Sequence, residues 1–505
     1  MSSSSDRGGW RLRSVVLGAA LVVVLSLEWF AGAPVRVRSG PARAPSGAAG
    51  PSTPGLEPAH DGAAGQGATS TRTSSVVPPF GVAVATARPV VDEGVARVVG
   101  HVVHAGTGEA LAGASVSTGS HEATTDADGR FAVGPVAPGA ALLVRLPGYE
   151  KVRLYPQNAD LTIRLRPQLI KAAYLTYYGV GDREIRTRTL DLIEATELNA
   201  VVIDVKGDRG IIPYRTTVPL ALEVGAQGPV IIRDMRGFVG DLKARHIYTI
   251  ARIVSFKDTV LAHHRKDLAI IDRRTGQPWT DREQLAWVDP FREEVWRYLI
   301  AVAKEAVDQG FDEIQFDYVR FPTDGKLVAA HYSRENTQET RLATIAAFLA
   351  MARRELHPLG VFVAADLFGY TAFNTNDTDI GQRLEEIAPN LDYISIMAYP
   401  SGYHLGIPGY RNPVQHPYQI VYESVKRTRE RTGGLPVKVR PWIQDFRDYA
   451  FDRRVFGPAD VRAQIRGAEA SGATGWMLWN PGNRYTAEAL RPSPAAAIRP
   501  AAEGR

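Results

Sequence analysis

Three aspartates stand at the ends of separate apolar stretches of the sequence, and paired carboxyls can carry acid–base chemistry. These residues are Asp204, Asp317 and Asp366. When two carboxyls flank a glycosidic bond, one can protonate the leaving oxygen while the other attacks the sugar or activates water. The residues therefore predict glycosidic bond cleavage, and they leave open whether the reaction retains or inverts the anomeric configuration.

Charged, amide and aromatic side chains accompany the aspartates and are predicted to contact substrate. The charged ones would orient the sugar or tune the pKa of the acids, and rings such as Tyr318, Trp442 and Trp479 could stack on sugar faces. Alternation along a strand puts Asp204 and Lys206 on one face, so Lys206 is expected to be the charge partner of Asp204. The predicted substrate-contact residues are Asp204, Lys206, Arg252, Tyr318, Arg320, Tyr399, Trp442, Gln444, Trp479 and Asn480.

Eight short apolar runs alternate with helical stretches over residues 168–490, and they position these side chains. The predicted strands are Ala172–Tyr177, Ala200–Val205, Tyr248–Val254, Glu313–Asp317, Val361–Asp366, Tyr393–Met397, Val437–Trp442 and Gly475–Trp479. The helix over Pro290–Gln309 is predicted to have Asp289 as its N-cap. Eight strand–helix repeats favour an α/β fold, a (β/α)8 TIM barrel with chemistry at the carboxyl ends of its strands. A doubly wound sheet is the alternative.

The amino end is predicted to be an export signal or a membrane anchor over residues 1–33. A basic segment precedes an apolar run there, and the run approaches the length of a membrane-spanning helix. Residues 34–95 are rich in Ala, Gly, Pro, Ser and Thr and are predicted to be a disordered linker, as is the tail over 491–505. The expected location is extracytoplasmic, with the protein membrane-anchored or secreted.

Residues 96–167 show short alternating strands separated by turn residues, which predicts a small antiparallel β-sandwich. Asp126-Ala127-Asp128-Gly129 is expected to be a tight turn rather than a calcium site. The stretch resembles the carboxypeptidase-regulatory-like domain through Leu111–Val116, Thr125–Phe131 and Pro147-Gly148-Tyr149. That resemblance implies an accessory β-sandwich without catalytic residues.

The barrel segment resembles a bacterial family of glycoside hydrolases with a glycosyl-hydrolase-like (β/α)8 domain. The motifs that carry the resemblance are Val202–Asp208, Ala251–Asp258, Gly310–Pro322, Ala365–Gly369, Ile396–Ser401, Arg440–Phe446 and Trp476–Asn480. By analogy with the α-amylase-like barrels, it implies Asp317 as nucleophile or base and Asp366 as proton donor. Those barrels usually have Glu where this chain has Asp366, and Asp204 is the reserve candidate.

Composition narrows the remaining function classes. The 505 residues contain no Cys, which excludes a thiol nucleophile and Cys-ligated metal sites. Basic and acidic residues balance within 168–490, so an uncharged polysaccharide or oligosaccharide is a better partner than nucleic acid. No metal and no cofactor is expected. The alternative to a glycosidase is a non-catalytic carbohydrate-binding or envelope-scaffold protein on a degenerate barrel.

Overall fold

The computed structural model describes residues 96–119, 121–157 and 160–492. The predicted export segment (1–33) and linker (34–95) lie outside the described residues, as does the tail beyond residue 492. Within the described part of the chain, no helix is both long and apolar enough to cross a membrane.

Eight segments of the chain form one parallel sheet, and they confirm the predicted strands to within a few residues. Strands 1 to 8 of the barrel are Ile170–Leu175, Ala200–Lys206, Tyr248–Val254, Glu313–Asp317, Phe362–Leu367, Tyr393–Ile396, the two-part strand Lys438–Val439 and Trp442–Gln444, and Gly475–Trp479. Neighbours pair in chain order, and strand 8 pairs with strand 1. The sheet therefore curls into a TIM-like barrel rather than into a doubly wound sheet.

Pro441 divides the seventh strand into two parts. Proline lacks an N–H, so it cannot donate to the ladder of hydrogen bonds between strands. Lys438–Val439 pairs with strand 6, whereas Trp442–Gln444 pairs with strand 8. A further parallel bridge joins Trp442 to Met397, just past the end of strand 6. The sheet thus closes through a single strand that carries a break.

Helices lie between successive strands along the chain. The longer ones are Arg183–Ala195, Met235–Ala244, Glu293–Gln309, Gln338–Leu356, Pro417–Arg431 and Pro458–Ala470, and the shorter ones are Tyr177–Gly181, Pro219–Glu223, Thr259–His264 and Leu384–Ile387.

The helix predicted to begin at Pro290 begins at Glu293 instead, so the predicted N-cap at Asp289 is wrong. One oxygen of the Asp289 carboxyl accepts from the N–H of Phe291 at 3.0 Å, and the other accepts from the N–H of Ser333 at 2.7 Å. Asp289 therefore connects two loops, and this use of the carboxyl competes with capping.

Strand 4 places a polar side chain at each of three levels inside the barrel. Ile314 and Phe316 pack in the outer hydrophobic cluster. Because side chains alternate along a strand, Glu313, Gln315 and Asp317 face the interior. The interior of a barrel is normally filled by apolar side chains. Each of these buried polar groups therefore needs a hydrogen-bond or ion-pair partner.

The two lower levels find those partners within the barrel. Arg440 Nη1 donates to Glu313 Oε2 at 3.1 Å, and both side chains are fully buried. The hydroxyl of Tyr248 also donates to Glu313, at 3.1 Å. One level higher, the amide of Gln315 donates to the Ser395 hydroxyl at 2.8 Å. The base of the barrel is thus held by a buried ion pair.

The residues before the barrel form two small sheets that share one hydrophobic cluster. The three-stranded sheet has the order Arg130–Val136, Ala96–His104, Asp160–Leu165, and the four-stranded sheet has the order His121–Thr124, Ser115–Thr118, Leu142–Arg145, Val152–Leu154. Ala96–His104 and Asp160–Leu165 are parallel, so the expectation of a wholly antiparallel module is wrong for this pair. The likeness to a carboxypeptidase-regulatory-like domain stays a prediction.

The predicted tight turn in this module is present. Asp126 Oδ1 accepts from the N–H groups of Asp128 and Arg130 at 3.0 and 2.8 Å. Gly129 has φ +72°, which glycine adopts without strain. The Asp126 carboxyl therefore serves the turn.

The module packs against the amino-terminal ends of barrel strands 4 to 6. Arg145 Nη1 donates to the carbonyl of Val361 at 2.9 Å, and the N–H of Gly148 donates to the Tyr393 hydroxyl at 2.8 Å. Lys151 Nζ donates to two more barrel carbonyls, those of Asp312 and Gly360. The module therefore covers the face of the barrel opposite to the predicted site.

The pair at the base of the barrel is testable. Glu313→Met leaves the buried Arg440 without its carboxylate, and we expect it to lower the free energy of unfolding by about 3–5 kcal/mol. The double variant Glu313→Met/Arg440→Met removes both charges and should recover most of that loss. Urea unfolding of the wild type, both single variants and the double variant measures the effect. Additive losses in the double variant would contradict this assignment.

Candidate active site

Arg252, on strand 3, lies at the centre of the barrel mouth and contacts all three predicted acids. Its Nη1 donates to Asp204 Oδ1 at 2.6 Å. Nε and Nη2 donate to Asp317 Oδ2 at 3.0 and 2.5 Å, and Nε lies 3.9 Å from Asp366 Oδ2. Strands 2 to 5 are consecutive neighbours in the sheet, which is why residues far apart in sequence meet here.

Asp204 is held from strand 1 by a residue that the sequence reasoning missed. The Tyr174 hydroxyl donates to Asp204 Oδ2 at 2.6 Å, and the N–H of Tyr177 donates to the same oxygen at 3.1 Å. The Tyr174 ring stacks on Trp479 at 4.2 Å between centroids, and the Arg252 guanidinium lies over both rings. Alternation along strand 1 was the signal that could have identified Tyr174.

Asp366 is the most deeply buried of the three acids, with 1% of its surface exposed. The Trp442 indole N–H donates to its Oδ1 at 2.7 Å. Its Oδ2 has no hydrogen-bond partner among the described residues. Trp442 is itself 1% exposed, so the prediction that it stacks on a sugar is wrong, because its ring is enclosed and its N–H is used by the acid.

The surroundings of Asp366 favour its protonated form. Burial raises its pKa well above the usual range, and the negative charge of Asp317 raises it further, while Arg252 and the Trp442 hydrogen bond oppose the shift. Burial also raises the pKa of Asp204, against the opposing effects of Arg252 and Tyr174. Three carboxyls share a single guanidinium, and Asp366 is the one of the three most suited to holding a proton.

Asp317 is in a different environment from Asp366. Its Oδ2 accepts both Arg252 hydrogen bonds, and its Oδ1 accepts from the N–H of Tyr318 at 2.6 Å. It is 7% exposed, more than Asp366. Donors on both oxygens stabilise a carboxylate. Asp317 and Asp366 therefore form a pair of neighbouring acids in contrasting surroundings.

Lys206 does not pair with Asp204, contrary to the sequence-based expectation. The ladder between strands 2 and 3 shifts register, so that Asp204 faces Arg252 but Lys206 faces Ile253. Lys206 Nζ lies 2.8 Å from Asp258 Oδ2, and its side chain is fully buried. Strict alternation fails because this irregularity moves Lys206 out of phase with Asp204.

Arg320 and Tyr318 belong to a second group beside the acids. The Arg320 guanidinium lies over the rings of Trp287 and Tyr318, at 5.2 and 4.9 Å from their centroids. Lys257 Nζ lies 5.0 Å from the centroid of the Tyr318 ring. Tyr318 is thus next to Asp317, whereas the Arg320 guanidinium contacts the aromatic rings of Trp287 and Tyr318.

Tyr399 and the two predicted amides have separate surroundings. Burial raises the pKa of Tyr399, and the negative charge of Asp366 raises it further. The Tyr399 phenol is therefore near enough to the acids to feel their charge. Gln444 is fully buried and exchanges hydrogen bonds with Ser401 at 2.7 and 3.0 Å. Asn480 accepts from the N–H of Gly482 at 2.8 Å and donates to a neighbouring carbonyl. The Gln444 amide thus joins strand 7 to the segment after strand 6, and the Asn480 amide joins the segments that follow strands 8 and 7.

In the ranges that the structure describes, no three His, Asp or Glu side chains are arranged so that they could hold one metal ion. That an enzyme of this kind works without a cofactor stays a prediction. The side chains gathered at the mouth are carboxyls, a guanidinium and aromatic rings.

A TIM-like barrel whose mouth gathers carboxyls around one arginine is the kind of scaffold on which glycosidases place two acids. Residues 172–485 match the family model described as "Putative glycosyl hydrolase domain". That span is more than half of the chain, and the chain belongs to this family.

Solved structures similar to this chain include one relative with clear sequence identity. A hypothetical protein from Ruminiclostridium thermocellum ATCC 27405 is 37% identical, with a TM-score of 0.34, and the match covers 38% of this chain and 96% of that one. The PgaB (BpsB) glycoside hydrolase domain from Bordetella bronchiseptica is 14% identical, with a TM-score of 0.42 and coverage of 64% and 99%. An alpha-galactosidase from Thermus thermophilus is 14% identical, with a TM-score of 0.39 and coverage of 74% and 69%. No curated protein matches the chain.

The raised pKa of Asp366 predicts a pH dependence of stability. The folded protein binds the Asp366 proton more tightly than the unfolded chain does, so this residue makes the free energy of unfolding fall as pH rises from about 4 through its raised pKa. Asn copies the protonated acid. We expect Asp366→Asn to flatten this dependence and to be more stable than the wild type at neutral pH.

Urea unfolding of both proteins at a series of pH values from about 4 to 8 checks this. Asp191→Asn, which changes an exposed aspartate on the helix Arg183–Ala195, is the matched control and should follow the wild type. If the free energy of unfolding rises over this pH range to the same extent in the wild type and in Asp366→Asn, the assignment is contradicted.

Proposed function

We propose that the chain is an extracytoplasmic glycosidase, membrane-anchored or secreted, that hydrolyses O-glycosidic bonds of a cell-envelope or extracellular polysaccharide. The observation that carries the proposal is the pair Asp317 and Asp366. Arg252 Nε donates to Asp317 Oδ2 at 3.0 Å and lies 3.9 Å from Asp366 Oδ2. Asp366 Oδ2 has no hydrogen-bond partner among the described residues. Neighbouring acids in such contrasting surroundings suit opposite roles.

Asp366 would donate its proton to the leaving glycosidic oxygen. A proton donor has to be protonated at working pH, and burial favours that form here. Its Oδ2 has no donor or acceptor in the described part of the chain but is buried, so the side chains over it would have to move before a substrate oxygen reached it. Asp317 would attack the anomeric carbon or remove a proton from the attacking water.

The same arrangement gives the remaining mouth residues their roles. Arg252 would orient Asp317, because it donates to it twice. Trp479 is partly exposed beside Tyr174 and would offer an aromatic surface to a sugar ring. Asp204 is already bound by Tyr174 and Arg252 and stays the reserve candidate.

A non-catalytic carbohydrate-binding protein is the second candidate, and one observation favours it. Asp317 and Asp204 are both engaged by Arg252, and Asp366 is almost fully enclosed, so none of the three carboxyls is freely presented to a substrate. In that case a glycan would bind without turnover, and replacing the acids would leave its affinity largely unchanged.

The test is a hydrolysis screen of the purified protein over envelope and plant glycans, with Asp317→Asn and Asp366→Asn as paired variants. We expect each variant to lose about 10²–10⁴-fold in kcat/KM on the natural glycan that is found. On an aryl glycoside with a highly activated leaving group, which needs no proton, Asp366→Asn should regain most of its rate and Asp317→Asn should not.

The two functions give opposite results. Binding of one glycan with no cleavage by the folded wild type, and unchanged affinity in both variants, would establish the binding protein. Hydrolysis with equal recovery of both variants on the activated substrate would support the enzyme but contradict the division of roles between Asp317 and Asp366.

A further inference from the structure

Tyr318 follows Asp317 directly at the end of strand 4, and its backbone is in the left-handed region, with φ +49°. A bulky residue rarely adopts this conformation, and such strain persists only where the surroundings enforce it. The flanking backbone is held by the two residues that follow strand 3, because the Asp317 carbonyl accepts from the N–H of Ser255 at 2.8 Å and the Tyr318 carbonyl accepts from the N–H of Phe256 at 3.3 Å.

The N–H of Tyr318 is directed at the acid rather than at the sheet. It donates to Asp317 Oδ1 at 2.6 Å. Arg252 occupies the other oxygen of the same carboxylate. The orientation of Asp317 therefore depends on two donors, one on a side chain and one on a strained stretch of backbone.

The Tyr318 ring is the part of the residue that the surroundings hold. Lys257 and Arg320 lie over it, with Lys257 Nζ at 5.0 Å and the Arg320 guanidinium at 4.9 Å from its centroid. Trp287 contacts it edge-on at 5.8 Å. Lys257 is in turn fixed by Asp281, at 3.1 Å from Nζ, so the ring is anchored to the long loop that follows strand 3.

We propose that Tyr318 is a positioning residue for Asp317: its anchored ring holds the strained backbone that presents an N–H to Asp317 Oδ1. The inference rests on the proposed function, in which Asp317 attacks the sugar or activates water. It replaces the expectation that this ring stacks on substrate, since two cationic side chains already lie over it. An error of about 1 Å in the placement of a reacting group can cost about 10²-fold in rate.

The test replaces the ring while keeping the backbone conformation. Asn tolerates the left-handed region better than other non-glycine residues, so Tyr318→Asn should fold but lose the anchor. We expect kcat to fall about 10- to 100-fold with KM within about twofold of the wild type. Tyr318→Phe keeps the ring and should retain most of the activity, and Arg320→Met, which loosens the ring from one side, should lower kcat less than Tyr318→Asn does.

Tyr155→Asn is the matched control, because Tyr155 is 56% exposed on the amino-terminal module and should behave as the wild type. Glycan affinity is measured by calorimetry in the Asp317→Asn background with and without Tyr318→Asn. Unchanged affinity supports positioning, whereas a loss of tenfold or more means that the ring binds the sugar and overturns the inference.

Two further outcomes separate this inference from the proposed function. An active wild type with a Tyr318→Asn variant of equal kcat overturns the positioning role alone. A wild type that cleaves no glycan overturns the proposed function, and the positioning role fails with it.

Discussion

One guanidinium among three carboxyls is the constraint on which the mouth of this barrel depends. Arg252 is buried together with Asp204, Asp317 and Asp366, and it touches each of them. One guanidinium among three buried carboxyls favours a proton on one of the acids. Asp366 is the acid furthest from Arg252 and the most deeply buried, and burial and the charge of Asp317 raise its pKa well above the usual range. The contrast between Asp366 and Asp317 therefore follows from packing.

Two further polar levels lie below this cluster. Beneath it, Gln315 binds Ser395, and at the base Glu313 is neutralised by Arg440. Both lower levels bind within the barrel, although Gln315 Oε1 and Arg440 Nε have no hydrogen-bond partner among the described residues. Closure through the interrupted seventh strand completes the enclosure and places Trp442 against Asp366.

The sequence predicted the eight strands and the convergence of three acids, because both depend on local patterns: apolar runs, and polar residues where those runs end. It did not predict features that depend on irregularity or on distant partners. Lys206 was misplaced because a register shift cannot be seen in alternating residues. Trp442 looked like an exposed platform because only the fold shows that its N–H meets Asp366. The helix start at Glu293 was missed because Asp289 is used by Ser333, forty-four residues away.

The amino-terminal module lies outside the family match but forms hydrogen bonds with the barrel. The family match begins at residue 172, within the first barrel strand, whereas hydrogen bonds from Arg145, Gly148 and Lys151 end on barrel groups. A fragment cut at the family boundary would leave barrel carbonyls and a tyrosine hydroxyl without their donors, on a surface that is otherwise covered. The smallest fragment that keeps the hydrogen-bond partners of the barrel is thus longer than the segment that matches the family.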